Sequence, residues 1–162
     1  MEDAPARPRA SRSALYFEDF EPGLVHETPG RTVTEADVVA FAGLSGDYNP
    51  MHTDADFAGR SPFGERIAHG LLGVAITSGL LARLSLFDGT GLAFLSLSWE
   101  FAGPIRLGDT IRVRQTVRAR RETSDGKKGI VDFSVEVLNQ GDEVIQKGTR
   151  RLMIARKCGV DG

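Results

Sequence analysis

The chain has 162 residues, a length that suits one domain with a self-sufficient core. Twenty Lys and Arg against 22 Asp and Glu leave a net charge of −2. That balance argues against a nucleic-acid binder working through a basic field and against a polybasic membrane-surface protein. The single cysteine, Cys158, admits neither an intramolecular disulfide nor a Cys-based zinc site, and it points to a reducing, cytoplasmic setting.

Residues 1–14 are rich in Arg, Ala, Ser and Pro and lack an apolar stretch. They read as a disordered tail, with a transit peptide as the weaker alternative. One domain is expected over 15–156, followed by a short tail over 157–162. Residues 24–33 predict a short strand. Thr34-Glu-Ala-Asp37 has the form of a capping box, followed by Val38, Val39, Phe41 and Ala42 at helical spacing, so a helix is predicted over 35–43. Ser45 to Phe63 is dense in Gly, Asn, Asp, Pro and Ser. It should be irregular, with one helical turn near 54–58.

Residues 70–86 are apolar almost all round, interrupted by Thr77, Ser78, Arg83 and Ser85. Too short for a membrane span and lacking a basic flank, this helix should be surrounded by protein. Segments 92–102, 110–121, 129–139 and 143–155 predict four antiparallel strands, with clear alternation through Ile111, Val113, Gln115 and Val117 and again through Val131, Phe133, Val135 and Val137. The expected class is therefore α+β, a curved antiparallel sheet wrapped around one apolar helix.

The ionisable groups gather in Asp47-Tyr-Asn49-Pro50-Met-His52. A carboxylate and an imidazole at this spacing, turned by Asn-Pro, can converge on one water, one partner taking a proton while the other delivers one. The same residues also fit a plain Asx-turn with a solvated histidine. A calcium loop would need a ligand at Met51, a glycine at His52 and a glutamate at Ala58, and has none of them. Asp47, His52 and His69 can be posed as a zinc triad, but no helical His-x-x-x-His pair supports it. No metal is expected.

The stretches FAGLSGDYNPMHTDADFA (41–58), GERIAHGLLGVAITSGLL (64–81) and WEFAGPIRLGDTIRV (99–113) resemble the MaoC-like dehydratases, the (R)-specific enoyl-CoA hydratase family of the hotdog fold. The resemblance covers about 15–156. It implies hydration of a trans-2-enoyl coenzyme A thioester by syn addition of water, with no cofactor beyond the coenzyme A of the substrate. It places the water on Asp47 and His52, and gives Asn49 the task of fixing the loop and the imidazole. It aims the backbone N–H of Gly70 at the thioester oxygen and sets Ser78 to support the pair by a hydrogen bond. A helix start suits that oxygen independently, because its N–H groups are unspent. His69 is expected to be a packed or gating side chain.

A non-catalytic acyl-thioester-binding subunit and a hotdog thioesterase are the alternatives. The presence of both Asp47 and His52 favours the hydratase. Such a sheet leaves an open edge strand to be covered or paired, and the resemblance implies that it pairs across a two-fold axis, giving a homodimer or an assembly of dimers. Phe41, Leu71, Leu72, Phe94 and Trp99 are candidates for the acyl tunnel, and Arg66, Arg118 and Lys127 for the coenzyme A phosphates. Chain length and pathway, fatty-acid metabolism included, are not legible.

Overall fold

The computed structural model describes residues 14–157. Cys158 and nearly all of both tails lie outside them. The chain runs from a 3-10 turn (Phe17–Asp19) through β1 (Val25–Glu27), β2 (Arg31–Thr32), α1 (Glu35–Ser45), α2 (Pro50–Thr53), α3 (Ala55–Gly59) and α4 (Gly70–Ala82), then into β3 (Gly91–Phe101), β4 (Thr110–Glu122), β5 (Lys128–Leu138) and β6 (Val144–Ala155).

The predicted capping box forms. Thr34 accepts the N–H of Asp37 while the Asp37 carboxylate accepts that of Thr34 at 2.9 Å. Helix α1 runs two residues past the prediction and stops at Gly46, whose φ of 76° is left-handed. The predicted strand over 24–33 is two short strands, β1 and β2, both paired with β4; Pro29 lies between them. The segment expected to be irregular holds an unpredicted short helix, α2, followed by α3 where the helical turn near 54–58 was predicted. Asn49 caps the first by accepting from Met51 N–H at 3.0 Å, and Asp54 caps the second by accepting from Phe57 N–H at 3.0 Å. The same side chains that suggest turns here start helices.

The sheet is antiparallel with strand order β1-β4-β5-β6-β3. It curls around α4, which ends four residues before the predicted limit because Ser85 adopts a left-handed φ of 55°. Helix α4 buries Leu72, Ile76, Leu80 and Leu81 against Val113, Val135 and Val137 of the sheet. Its opposite face departs from the prediction. Leu71 is 65% exposed, and Ala75 and Ser78 are exposed too. Beside that face runs the edge strand β3, with Phe94 and Phe101 more than half exposed. One chain thus covers only half of an all-round apolar helix. At β6, a Cβ on Gly148 would stand 2.2 Å from the carbonyl oxygen of Ser98 and 2.5 Å from the Trp99 ring. The glycine lets that indole lie flat across the strand. Among the described residues no helix is long and apolar enough to cross a membrane.

Candidate active site

Asp47 follows the stop of α1, His52 sits in α2, and His69 is the residue before α4. Three backbone anchors bring them together. The Nδ1 of His52 lies 2.8 Å from the carbonyl oxygen of Ile67. The Nε2 of His69 lies 2.9 Å from the carbonyl oxygen of Asp47. A carbonyl oxygen only accepts, so both of these nitrogens donate, and Nε2 of His52 makes no hydrogen bond among the described residues. The third anchor is the Asp47 carboxylate, which accepts Asn49 N–H at 3.2 Å.

His69 is 2% exposed and stacks on His52, ring centroids 3.8 Å apart and 34° from parallel. Phe41 closes its other side with centroids 5.0 Å apart. His69 is thus the packed side chain the sequence predicts, and it also clamps the loop that presents Asp47. A carboxylate oxygen of Asp47 and one ring nitrogen each of His52 and His69 lie within 4.8 Å of one another.

The Asp47 carboxylate and the His52 ring open on a cleft of about 750 Å³ that the first turn of α4 also lines. His69 makes no side-chain cap there, and its carbonyl accepts the N–H groups of Leu72 and Gly73. The Gly70 N–H, at the first helical position, has no bond within the helix. Asp47, His52 and Gly70 therefore meet in one cleft, as expected. Asn49 fixes the loop as the cap of α2, but the imidazole itself is held by Ile67, not by Asn49. Ser78 does not support the pair within this chain. It stands about 12 Å further along α4 at 1.5 Å per residue, and it lines different cavities.

Among the tunnel candidates, Phe41, Leu71, Phe94 and Trp99 line a second cavity of about 340 Å³ between α4 and the sheet, whereas Leu72 packs into the core. Arg66 is bound to Glu35 at 2.8 Å, and neither it, Arg118 nor Lys127 lines the cleft.

Gln146 was not anticipated. It is 1% exposed, accepts the Trp99 indole N–H at 3.1 Å and donates to the Gly70 carbonyl at 3.2 Å, so it fixes the turn that carries the free N–H. An amide in phase with Leu152 and Ile154 along β6 was the available signal. Gln146→Leu should strand both partners, and each buried polar group left unpaired costs about 1–3 kcal/mol. Thermal or urea denaturation should show a loss of at least that size; unchanged stability would remove Gln146 from this role.

Comparison with known proteins agrees with the geometry. The MaoC like domain model matches residues 19–139. The 3-hydroxybutyryl-CoA dehydratase of Methylorubrum extorquens is 35% identical over 147 residues, 91% of this chain and 88% of that protein. An (R)-specific enoyl-CoA hydratase of Rhodospirillum rubrum is 38% identical over 102 residues, 63% of this chain and 69% of that one. Among solved structures, a protein of Archaeoglobus fulgius described as a monoamine oxidase regulatory protein superposes with a TM-score of 0.84 at 34% identity, covering 90% of this chain and 97% of its own. A Mycobacterium tuberculosis protein with a double hotdog fold matches at a TM-score of 0.77 over 90% of this chain and 45% of its own; at 20% identity it bears on the fold alone. The chain belongs to the MaoC-like dehydratase family, built on the hotdog fold, and so to the hydro-lyases that add water across a double bond or remove it.

Proposed function

We propose that the chain is an (R)-specific enoyl-CoA hydratase, the same site serving in reverse as a 3-hydroxyacyl-CoA dehydratase. One observation carries the reading: the Asp47 carboxylate and the His52 imidazole converge in a cleft that the unspent N–H of Gly70 also lines. Two atoms that each hydrogen-bond the same water stand ~4.6 Å apart, which fits the 4.8 Å limit on their separation.

In the forward direction the water oxygen forms a bond to the β-carbon as one of its protons passes to the pair. The π electrons of the double bond shift toward the thioester, whose oxygen becomes an enolate oxyanion. The Gly70 N–H, at the positive end of α4, is placed to stabilise that charge. The α-carbon then takes a proton from the pair, and the carbonyl re-forms. Because one water seat supplies both oxygen and proton, both arrive on the same face, and addition is syn. The (R) outcome rests on the likeness to the relatives so named.

Hydration of crotonyl-CoA, followed by loss of enoyl absorbance with thiol release measured in parallel, tests the reading. Enoyl loss without thiol is the expected result. Thiol release alone would make the protein a thioesterase, and neither change would make it a binding subunit.

The assembly that fits this site is a homodimer through β3. Its outer edge is unpaired among the described residues, and the bare face of α4 beside it supplies apolar surface for a second copy. Sedimentation at micromolar concentration should give a dimer. A stable, fully active monomer would refute it.

A further inference from the structure

A buried cation stands in the second cavity with no acid among the described residues to pair it. Arg150, on β6, is 8% exposed, and neither its Nε nor its Nη2 has a hydrogen-bond partner. Its guanidinium lies over two rings, 5.2 Å from the centroid of Phe87 and 5.3 Å from that of Phe133. Those ring faces offset part of its desolvation. Burial, with no carboxylate to offset it, still pushes its pKa down to about 10. Asp88 lines the neighbouring outer cavity of about 310 Å³, which Arg150 and Ser78 share, yet it forms no ion pair with the guanidinium.

A second polar group is stranded in the same place. The Thr77 hydroxyl, on a residue 4% exposed, has no partner among the described residues. Arg150, Thr77 and Ser78 all line the cavity between α4 and the sheet, whose other walls are apolar, among them Val74, Leu81 and Trp99. This cavity opens on the bare face of α4 at Leu71 and Ser78 and, roofed by the second copy that the homodimer places there, suits a ligand that is hydrocarbon along its length and anionic at its tip. It adjoins the reactive cleft, because Leu71 lines both.

We infer that Arg150, with Thr77 and Ser78, sets the acyl specificity of this protein, and that its substrate is an enoyl thioester whose chain ends in a carboxylate. The inference rests on the hydratase reading for the word enoyl, but not for the carboxylate. A guanidinium presents a planar fork that matches a carboxylate with two hydrogen bonds. A methyl-ended chain of the same length would instead fill the chamber while leaving the charge unpaired. Sites built around a polar group reject analogues that lack its partner far more strongly than apolar pockets reject a change in size. Gly70 and Arg150's neighbour Ser78 are about 12 Å apart along α4, so a crotonyl chain stops short of the cation and its hydration leaves this question untouched.

The test is calorimetric binding to the intact protein of two matched pairs, hexanoyl-CoA against adipoyl-CoA and octanoyl-CoA against suberyl-CoA. In at least one pair the carboxylate-ended thioester should bind ~10-fold or more tighter, and Arg150→Met should abolish or invert that preference. Arg150→Lys, which keeps the charge and loses the fork, should retain part of it. Equal or weaker binding of both carboxylate-ended thioesters by the native protein overturns the inference whether or not the variants fold. So does a preference that survives in Arg150→Met. A native protein with no preference whose Arg150→Met variant falls apart into monomers would show the cation paired across the dimer, which also overturns it. Crotonyl-CoA hydration, run alongside, reports separately on the hydratase reading.

Discussion

Asp47→Asn and His52→Gln should each lower crotonyl-CoA turnover by at least ~10²-fold, and the double variant should be little slower than the poorer single. Water is a poor nucleophile and the α-carbon must gain a proton, so a positioned acid–base pair bears on both steps. The carboxylate is held by Asn49 N–H at 3.2 Å and the ring by the Ile67 carbonyl at 2.8 Å, so each partner is fixed independently of the other. Losing either one removes a proton transfer and also the alignment of the shared water, which makes the losses non-additive. An asparagine at 47 can still accept from Asn49 N–H, and a glutamine at 52 can still donate to Ile67, so both variants should keep the loop. Turnover of the four proteins, with circular dichroism to verify folding, decides the matter. A folded Asp47→Asn protein at near-native rate would end the proposal.

How much of this site could be read from the chain follows from the range of each interaction. The capping box at Thr34 and Asp37 is local and legible, and so is the alternation that marks β4 and β5. Of the two short helices between Asp47 and Gly70, α3 was legible as the turn near 54–58, whereas α2 was hidden because Asn49 is an equally good turn former and helix cap. The anchors of the imidazoles are backbone carbonyls, those of Ile67 and Asp47, and a carbonyl has no sequence signature. Gln146 acts on Gly70 from the far end of the chain, so its role depends on strand register, which pairing with β3 and β5 settles. The all-round apolarity of α4 showed that both faces need cover. It could not say that this chain supplies only one cover and leaves Leu71, Ala75 and Ser78 bare. Apolar surface reads the same whether its neighbour is the same chain or a second copy.

Gly70→Pro should cost ~10²-fold or more in turnover beyond whatever Gly70→Ala costs, the usual loss for one oxyanion donor. The two variants share the Cβ, but proline also puts a ring CH2 on the nitrogen in place of the hydrogen. Each puts a Cβ 2.8 Å from the Phe101 ring, and Phe101, more than half exposed, can swing aside. Proline alone deletes the N–H. The backbone should accept it, since proline is favoured at the first position of a helix. His69 before it has φ −58° and ψ 136°, in the extended region that a residue preceding proline prefers. The Gly70 carbonyl that accepts from Gln146 is untouched, so the turn remains tied to β6. The difference between the two variants therefore reports the donor at the positive end of α4 together with the CH2 that takes its place. Pairing each with Phe101→Ala removes the remaining crowding and should leave that difference intact. If Gly70→Pro and Gly70→Ala turn over crotonyl-CoA at the same rate, the enolate oxygen is stabilised elsewhere and α4 serves only as the core of the sheet.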